Sequence, residues 1–408
     1  MESLKRKFLF VHLIRRQFVH RAAPGTIEVV TFDAYVGMRL LALLICVLMI
    51  VVSCRAFRAG RNLGASTPVR CISSRRFSSS GDDGLLFSFG VCADIQYVDA
   101  DDDYNFQKTK LRRYRQSLEV FREAAANWRS SSRGIRFALL LGDILDGKCS
   151  ALKSEKECLE TVMSVCRENP FNFYPCLGNH DYYCLTRPEL HARLFSSIPN
   201  TAHDKLYYDY SPHPAWRVLS LDAYDVSLIG ASSTEHLAQA HAILKAENPN
   251  DVAKSGTWFD GLPRDKFRYV PYNGGFGAQQ LSWLRSTLQD AKQRGQRCIV
   301  FCHQPVFAPD KPQSVLWNAE EVLSIVRESQ NVALWLAGHD HDGQYVVQDG
   351  IHHLVPPAPI ECKPGETAFG TIHVFGDRLE LAWVGREPSR ATLAPWAGTR
   401  SMALSLSL

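Results

Sequence analysis

Five times along this chain an apolar run of strand character stops and gives way to acids, amides or imidazoles. The runs are VCADIQ (Asp94, Gln96), LLLGDILDG (Asp143, Asp146), YPCLGNHD (Asn179, His180, Asp181), CIVFCHQP (His303) and LWLAGHDH (His339, His341). One polar residue after a strand is ordinary turn chemistry. Five constrain the fold, because the carboxyl ends of strands in an α/β sheet are where loops converge on a shared ligand. Asp, Gln, Asn and His without cysteine make a donor set suited to divalent cations of intermediate hardness.

The hydrophobic spacing predicts strands over 85–93, 135–141, 171–177, 297–301 and 332–336, with shorter ones at 206–210 and 216–222. It predicts helices over 107–128, 154–168, 234–247, 278–294 and 315–328, then three or four short strands over 343–384. Strands alternating with amphipathic helices argue for layers of sheet and helix, an α/β fold. Residues 81–387 are expected to form one catalytic domain, in which 201–275 is a less regular insert that walls a pocket. Residues 1–80 read as a leader and 388–408 as a C-terminal tail.

The ordered series D-x-Q, G-D-x-x-D, G-N-H-D, H-Q-P and G-H-x-H resembles the calcineurin-like metallophosphoesterases over about residues 85–385. That family usually has His where Gln96 stands. Gln96, the following YNFQKTKLRRYRQSL and the late FGTIHVF resemble its manganese-dependent ADP-ribose/CDP-alcohol diphosphatase branch. The resemblance implies a four-layer α/β/β/α sandwich and two divalent ions, Mn²⁺ foremost, with Mg²⁺, Zn²⁺ or Fe as alternatives. It implies that Asp143 bridges the ions. One would be completed by Asp94, Gln96 and His341, and the other by Asn179, His303 and His339. His180 would face the scissile phosphate with Asp181 beside it.

The chemistry fits those residue types. Two cations held by one carboxylate lower the pKa of a water between them and clamp the attacking and leaving oxygens of a displacement. Neutral amide oxygens from Gln96 and Asn179 leave the site less anionic, so a diphosphate can approach, and Gln96 favours a harder ion than imidazole would. His180 could donate to a phosphate oxygen or the leaving group, kept protonated by Asp181.

Residues around this set read two ways. Asp146 either supports the site or caps the turn before Gly147. Phe106 either stacks on a nucleobase or is a buried aromatic at a helix start. Arg112 and Arg113 either reach a phosphate or lie on a solvated helix face. Tyr272 and Asn273 either line the pocket or merely belong to a Gly-rich loop.

Charge narrows the partner. Overall the chain carries a formal +4, yet residues 1–80 hold 13 Lys/Arg against 3 Asp/Glu, which leaves the remainder at −6. A body of that sign gives no case for nucleic acid; a small nucleotide diphosphate and a monomeric enzyme are expected. The leader's apolar run, 40–52, is 13 residues long, shorter than the roughly 20 a membrane helix needs, so no stable membrane span is expected in the catalytic domain. Met38 precedes that run and an Arg/Ser-rich, acid-free segment follows it. The leader therefore reads as a signal followed by a transit peptide or as a single organelle presequence, for mitochondrion or plastid. The other reading is an over-extended start, which would leave a plain signal or anchor, or a cytosolic protein. Twelve cysteines, nine of them outside the leader and none in a C-x-x-C pair, lean toward a reducing interior rather than export.

The leading expectation is a hydrolase that cleaves the P–O–P bond of ADP-ribose or CDP-alcohols such as CDP-choline. The products would be a nucleoside monophosphate and a phosphorylated sugar or alcohol. Phosphomonoesters or cyclic nucleotides are the alternative substrates. A non-catalytic scaffold of the same fold is the alternative of another class, and the intact ligand types and His180 argue against it.

Overall fold

The structure, a computed structural model, describes residues 84–254, 256–390 and 401–405; the leader features lie outside them. Two sheets face each other. The first has the order β13 (Ser401–Ser405), β11 (Arg378–Gly385), β10 (Ala368–Phe375), β1 (Leu85–Cys92), β2 (Phe137–Leu141) and β3 (Asn172–Cys176). The second runs β12 (Ser389–Arg390), β8 (Gln344–Gln348), β9 (Ile351–Val355), β7 (Val332–Leu336), β6 (Arg297–Phe301), β5 (Trp216–Ser220) and β4 (Tyr208–His213).

Aromatic side chains join the sheets. Phe89 of β1 stacks on Phe137 of β2 at 5.1 Å, and Phe137 meets Tyr210 of β4 edge-on at 5.4 Å. The next residue along β1, Gly90, faces the opposite way, as strand alternation requires. There a Cβ would fall 2.5 Å from the Trp128 ring, so the glycine lets helix α1 (Tyr114–Ser130) lie close on the outer face. Helix α2 (Glu155–Arg167) packs beside it through Leu159 and Val162. Helices α5 (Ala278–Gln293) and α6 (Ala319–Ser329) present Leu284, Leu288, Val322 and Ile325 to the same core. The result is the four-layer α/β/β/α sandwich. Among the described residues no helix is long and apolar enough to cross a membrane.

Two expected helices start late. Residues 103–112 form a small β-hairpin, Asp103–Tyr104 against Leu111–Arg112, whose turn is tight because Asn105 Oδ1 accepts from Thr109 N at 2.8 Å and Lys110 N at 3.1 Å, and Lys108 takes a φ of 55°. Upstream of α6, the Trp317 N–H is drawn to Gly274 O at 2.9 Å, so the helix begins at Ala319 rather than 315. The helix expected over 234–247 is α4 (Thr234–Glu247).

β1, β2 and β3 are mutually parallel, as are β5, β6, β7 and β9. All five polar clusters thus sit just beyond the carboxyl ends of parallel strands.

Candidate metal centre

Cross-bonds between the strand ends tie the clusters together. Asp94 N–H donates to Gly142 O at 3.1 Å and Gln96 N–H to Asp143 O at 2.8 Å. The Asp94 carboxylate accepts His339 N–H at 3.1 Å, and Asp143 Oδ1 accepts His180 N–H at 2.8 Å. Two groups of donor atoms result, each within 4.8 Å: Asp143, His303 and His339 in one, Asp94, Asp143 and His341 in the other. Asp143 belongs to both. Gln96 adjoins the second group, its Nε2 lying 2.7 Å from Asp143 Oδ2 and 3.2 Å from His341 Nε2. Asn179 opens helix α3 (Asn179–Cys184) with its Oδ1 taking a bond from Tyr224 OH at 3.3 Å.

Each imidazole has its outward nitrogen engaged by an acceptor. His303 Nδ1 bonds Leu141 O at 2.8 Å, His339 Nε2 bonds Asn273 Oδ1 at 2.9 Å, and His341 Nδ1 bonds Glu361 Oε1 at 2.9 Å. An N–H held outward leaves a lone pair facing inward, which is the tautomer a metal requires. The inward nitrogens of His303 and His339 stand 3.2 Å apart, a distance that one shared proton spans. Burial opposes charge on His303, but Asp143 and Asp94 outweigh it and lift the imidazole to about 9. Burial and the charge on His303 drive His339 the other way, well below its ordinary value. A cation would take that proton's place.

The remaining donors also fit cations. Burial works against ionisation of Asp143, yet His303 and His180 hold its carboxyl well below the usual range. Gln96 Oε1 is buried without a hydrogen-bond partner, and turning the amide over aims that oxygen at the centre. Gly178 and Gly338 supply the room, since a Cβ on Gly338 would meet Asp94 Oδ2 at 2.6 Å and one on Gly178 would overlap Asp143 Oδ1. Nine non-glycine residues among those described have a positive φ, and four of them are Asp94 (51°), Gln96 (46°), Asp143 (51°) and His339 (70°). Such strain concentrates where side chains are aimed for function.

His180 projects from α3 with its ring fixed. Gly147 N–H donates to its Nδ1 at 2.9 Å, so the ring proton sits on Nε2. The carboxylate beside it is Asp146, 3.3 Å from Nδ1, not Asp181. Asp146 also caps the turn by accepting Lys148 N–H at 2.8 Å and pairs with Arg112 at 2.8 Å. Asp181, expected next to His180, instead turns away to accept the N–H groups of Ile144, Leu145 and Gly178 at 2.9, 3.1 and 2.9 Å. Burial and the Asp143 charge push its carboxyl up to about 7.

The outer residues divide. Tyr272 lies 5.6 Å from the His339 ring, and Asn273 is fully buried as that ring's acceptor rather than exposed to a ligand. Arg113 is committed to Glu361 O at 3.1 Å. Phe106 is 64% exposed and in a loop, so it is not a buried helix-start residue. It stacks on Trp258, which meets Tyr272 at 5.8 Å, and this aromatic row runs toward the metal groups. Glu361, Tyr183 and Trp258 were not singled out by the motifs. Tyr183, 5.3 Å from the His180 ring, stands two residues after the G-N-H-D motif, which is the one signal that could have found it.

Two facing sheets whose strand ends gather two donor groups around one shared carboxylate define a dimetal phosphoesterase. The chain belongs to the calcineurin-like phosphoesterase family, whose profile matches residues 87–343. It is 39% identical to a manganese-dependent ADP-ribose/CDP-alcohol diphosphatase of Oryza sativa subsp. japonica, over 72% of this chain and 90% of that protein. It is 35% identical to the Homo sapiens protein of the same name, over 75% and 92%. The crystal structure of a dimetal phosphatase from Danio rerio superposes with a TM-score of 0.72 at 32% identity, covering 79% of this chain and all of that one.

Proposed function

We propose that this chain is a manganese-dependent hydrolase of the phosphoanhydride bond in ADP-ribose or CDP-alcohols, yielding AMP or CMP and a phosphorylated sugar or alcohol. The observation that carries the reading is the set of three imidazoles whose outward nitrogens are all engaged, arranged about the shared Asp143. The printed names of the relatives support the substrate class.

Asp143 would help hold both ions, one with Asp94, Gln96 and His341 and the other with Asn179, His303 and His339. When bound, the pair supplies Lewis acidity toward the phosphate oxygens and lowers the pKa of an attacking water. His180 offers its Nε2 proton to a phosphate oxygen or the departing phosphate, while Gly147 N–H holds the ring. The near-parallel rings of Phe106 and Trp258, 6.4 Å and 17° apart, approach the roughly 7 Å that a flat base in van der Waals contact with both faces needs. Arg112, tied to Asp146, stands within the same network.

Assaying the purified chain with added Mn²⁺ against ADP-ribose, CDP-choline, 2′,3′-cyclic nucleotides and p-nitrophenyl phosphate tests the proposal. AMP with ribose 5-phosphate, and CMP with phosphocholine, are expected. Turnover of p-nitrophenyl phosphate or cyclic nucleotides alone would replace it with the phosphomonoester or cyclic-nucleotide reading. The Arg/Ser-rich leader supports import into an organelle, which fluorescent fusions of the full-length and Met38-started forms would check.

A further inference from the structure

Behind the turn that holds His180, three thiols gather. Cys149 lies in the short helix Lys148–Leu152 and is wholly buried, Cys158 is buried in α2, and Cys184 ends α3 half-buried. A single carbonyl joins two of them: Asp146 O accepts Cys149 N–H at 3.0 Å and the Cys184 thiol at 3.2 Å. The Cys149 sulfur lies 3.4 Å from Tyr97 O and interacts with both neighbouring thiols. Cys158 has its own acceptor in Ser154 Oγ at 3.5 Å. The same turn supplies the Gly147 N–H that fixes His180.

We propose that Cys149 and Cys184 are a peroxide-oxidisable dithiol whose disulfide ties the turn behind His180 to the helix that carries it. Cys184, the more exposed of the three, reacts first. Its thiolate attacks the O–O bond of hydrogen peroxide, giving a sulfenic acid and hydroxide, which takes up a proton to become water. The Cys149 sulfur then displaces the sulfenic oxygen as a second water. Two thiols together lose two electrons and two protons, and one peroxide becomes two waters.

The consequence falls on His180. Oxidation removes the S–H that donates to Asp146 O and draws the Cys184 sulfur from that carbonyl toward Cys149. The end of α3 and the 146–149 turn then shift against each other, which disturbs the Gly147–His180 hydrogen bond but leaves the inward imidazoles untouched.

The test is to treat the full-length, manganese-loaded enzyme with hydrogen peroxide, then map thiols by differential alkylation and mass spectrometry. Expected are loss of two free thiols per chain, a cross-linked peptide pair containing Cys149 and Cys184, and a several-fold fall in kcat at unchanged metal content, reversed by dithiothreitol. Cys184→Ser keeps a donor for Asp146 O; it should retain basal turnover and resist peroxide. Cys149→Ala should stop at a Cys184 sulfenic acid that dimedone traps, so the inference does not hang on one variant. Cys184 left reduced, Cys149 paired with Cys158, or a cross-link without a fall in kcat would each overturn it. Thiol mapping needs no substrate, so its failure would leave the proposed hydrolysis standing.

Discussion

Glu361 is the strongest lever on the metal centre that no sequence motif marks. Its Oε1 accepts the His341 Nδ1 proton at 2.9 Å, and its Oε2 lies 3.0 Å from Lys110 Nζ and 3.8 Å from Arg386. Burial works against the carboxylate, but His341 and Lys110 prevail and hold it at about 2, down from an ordinary 4.5. A carboxyl whose pKa falls on folding stabilises the fold above its unfolded value and loses that contribution as pH drops through its folded one. At about 1.4 kcal/mol per unit, the shift corresponds to about 3 kcal/mol. In EDTA, Glu361→Gln should therefore be less stable in urea by up to about 3 kcal/mol at pH 7, and the gap should close as pH falls from 4.5 toward 2.

Metal binding supplies a second readout of the same substitution. Removing the charge behind a ligating histidine lowers metal affinity about 10–100-fold, equivalent to about 1.4–2.7 kcal/mol. His341 belongs only to the group containing Asp94, so one ion should weaken while the other holds. Calorimetric Mn²⁺ titration should resolve two unequal sites, and the spin-coupled manganese spectrum should give way to that of an isolated ion. Two ions bound as tightly as in the unaltered chain, or a stability gap that persists at pH 2, would refute the argument.

Three further outcomes follow from the geometry. His180→Gln should lower kcat by about 10²–10⁴-fold without loss of manganese, measured by elemental analysis; loss of metal would make His180 a ligand instead. Asp181→Ala strands three N–H groups of the Asp143 and Asn179 turns and should cost about 3 kcal/mol of unfolding free energy, read as a lowered denaturant midpoint; an unchanged midpoint with a large fall in kcat would restore Asp181 to the chemistry. Gln96→His replaces an oxygen donor by nitrogen and should shift activation from Mn²⁺ toward Zn²⁺, and an identical activation profile across the two metals would remove Gln96 from the coordination sphere.

Convergence of the five clusters was legible because it follows from a rule about strand ends, and β1, β2, β3, β6 and β7 all obey it. What adjacency in the chain suggested about partners fared differently. Asp181 neighbours His180 in sequence, but it is two residues from Asn179 on a helix whose N-terminus needs an acceptor, so its carboxylate folds back on Gly178 N–H. Asp146, 34 residues upstream, reaches His180 because β2 and β3 are parallel neighbours and their following turns lie side by side. The helix expected from 107 begins only at Tyr114 because apolar spacing cannot register Asn105, whose side chain closes a turn before the helix can begin.

The aim of the ligands was the least legible feature. Left-handed backbone at Asp94, Gln96, Asp143 and His339 costs about 1–2 kcal/mol per residue, a cost that Asp and His side chains lower only in part. It is offset between strands, by Asp94 N–H on Gly142 O, Gln96 N–H on Asp143 O and His339 N–H on the Asp94 carboxylate. Each of those bonds pairs segments at least 47 residues apart, whereas periodicity examines one segment at a time. The residue types at the strand ends therefore announce that a cation site exists, while the conformation that points them inward is a property of the assembled sheets alone.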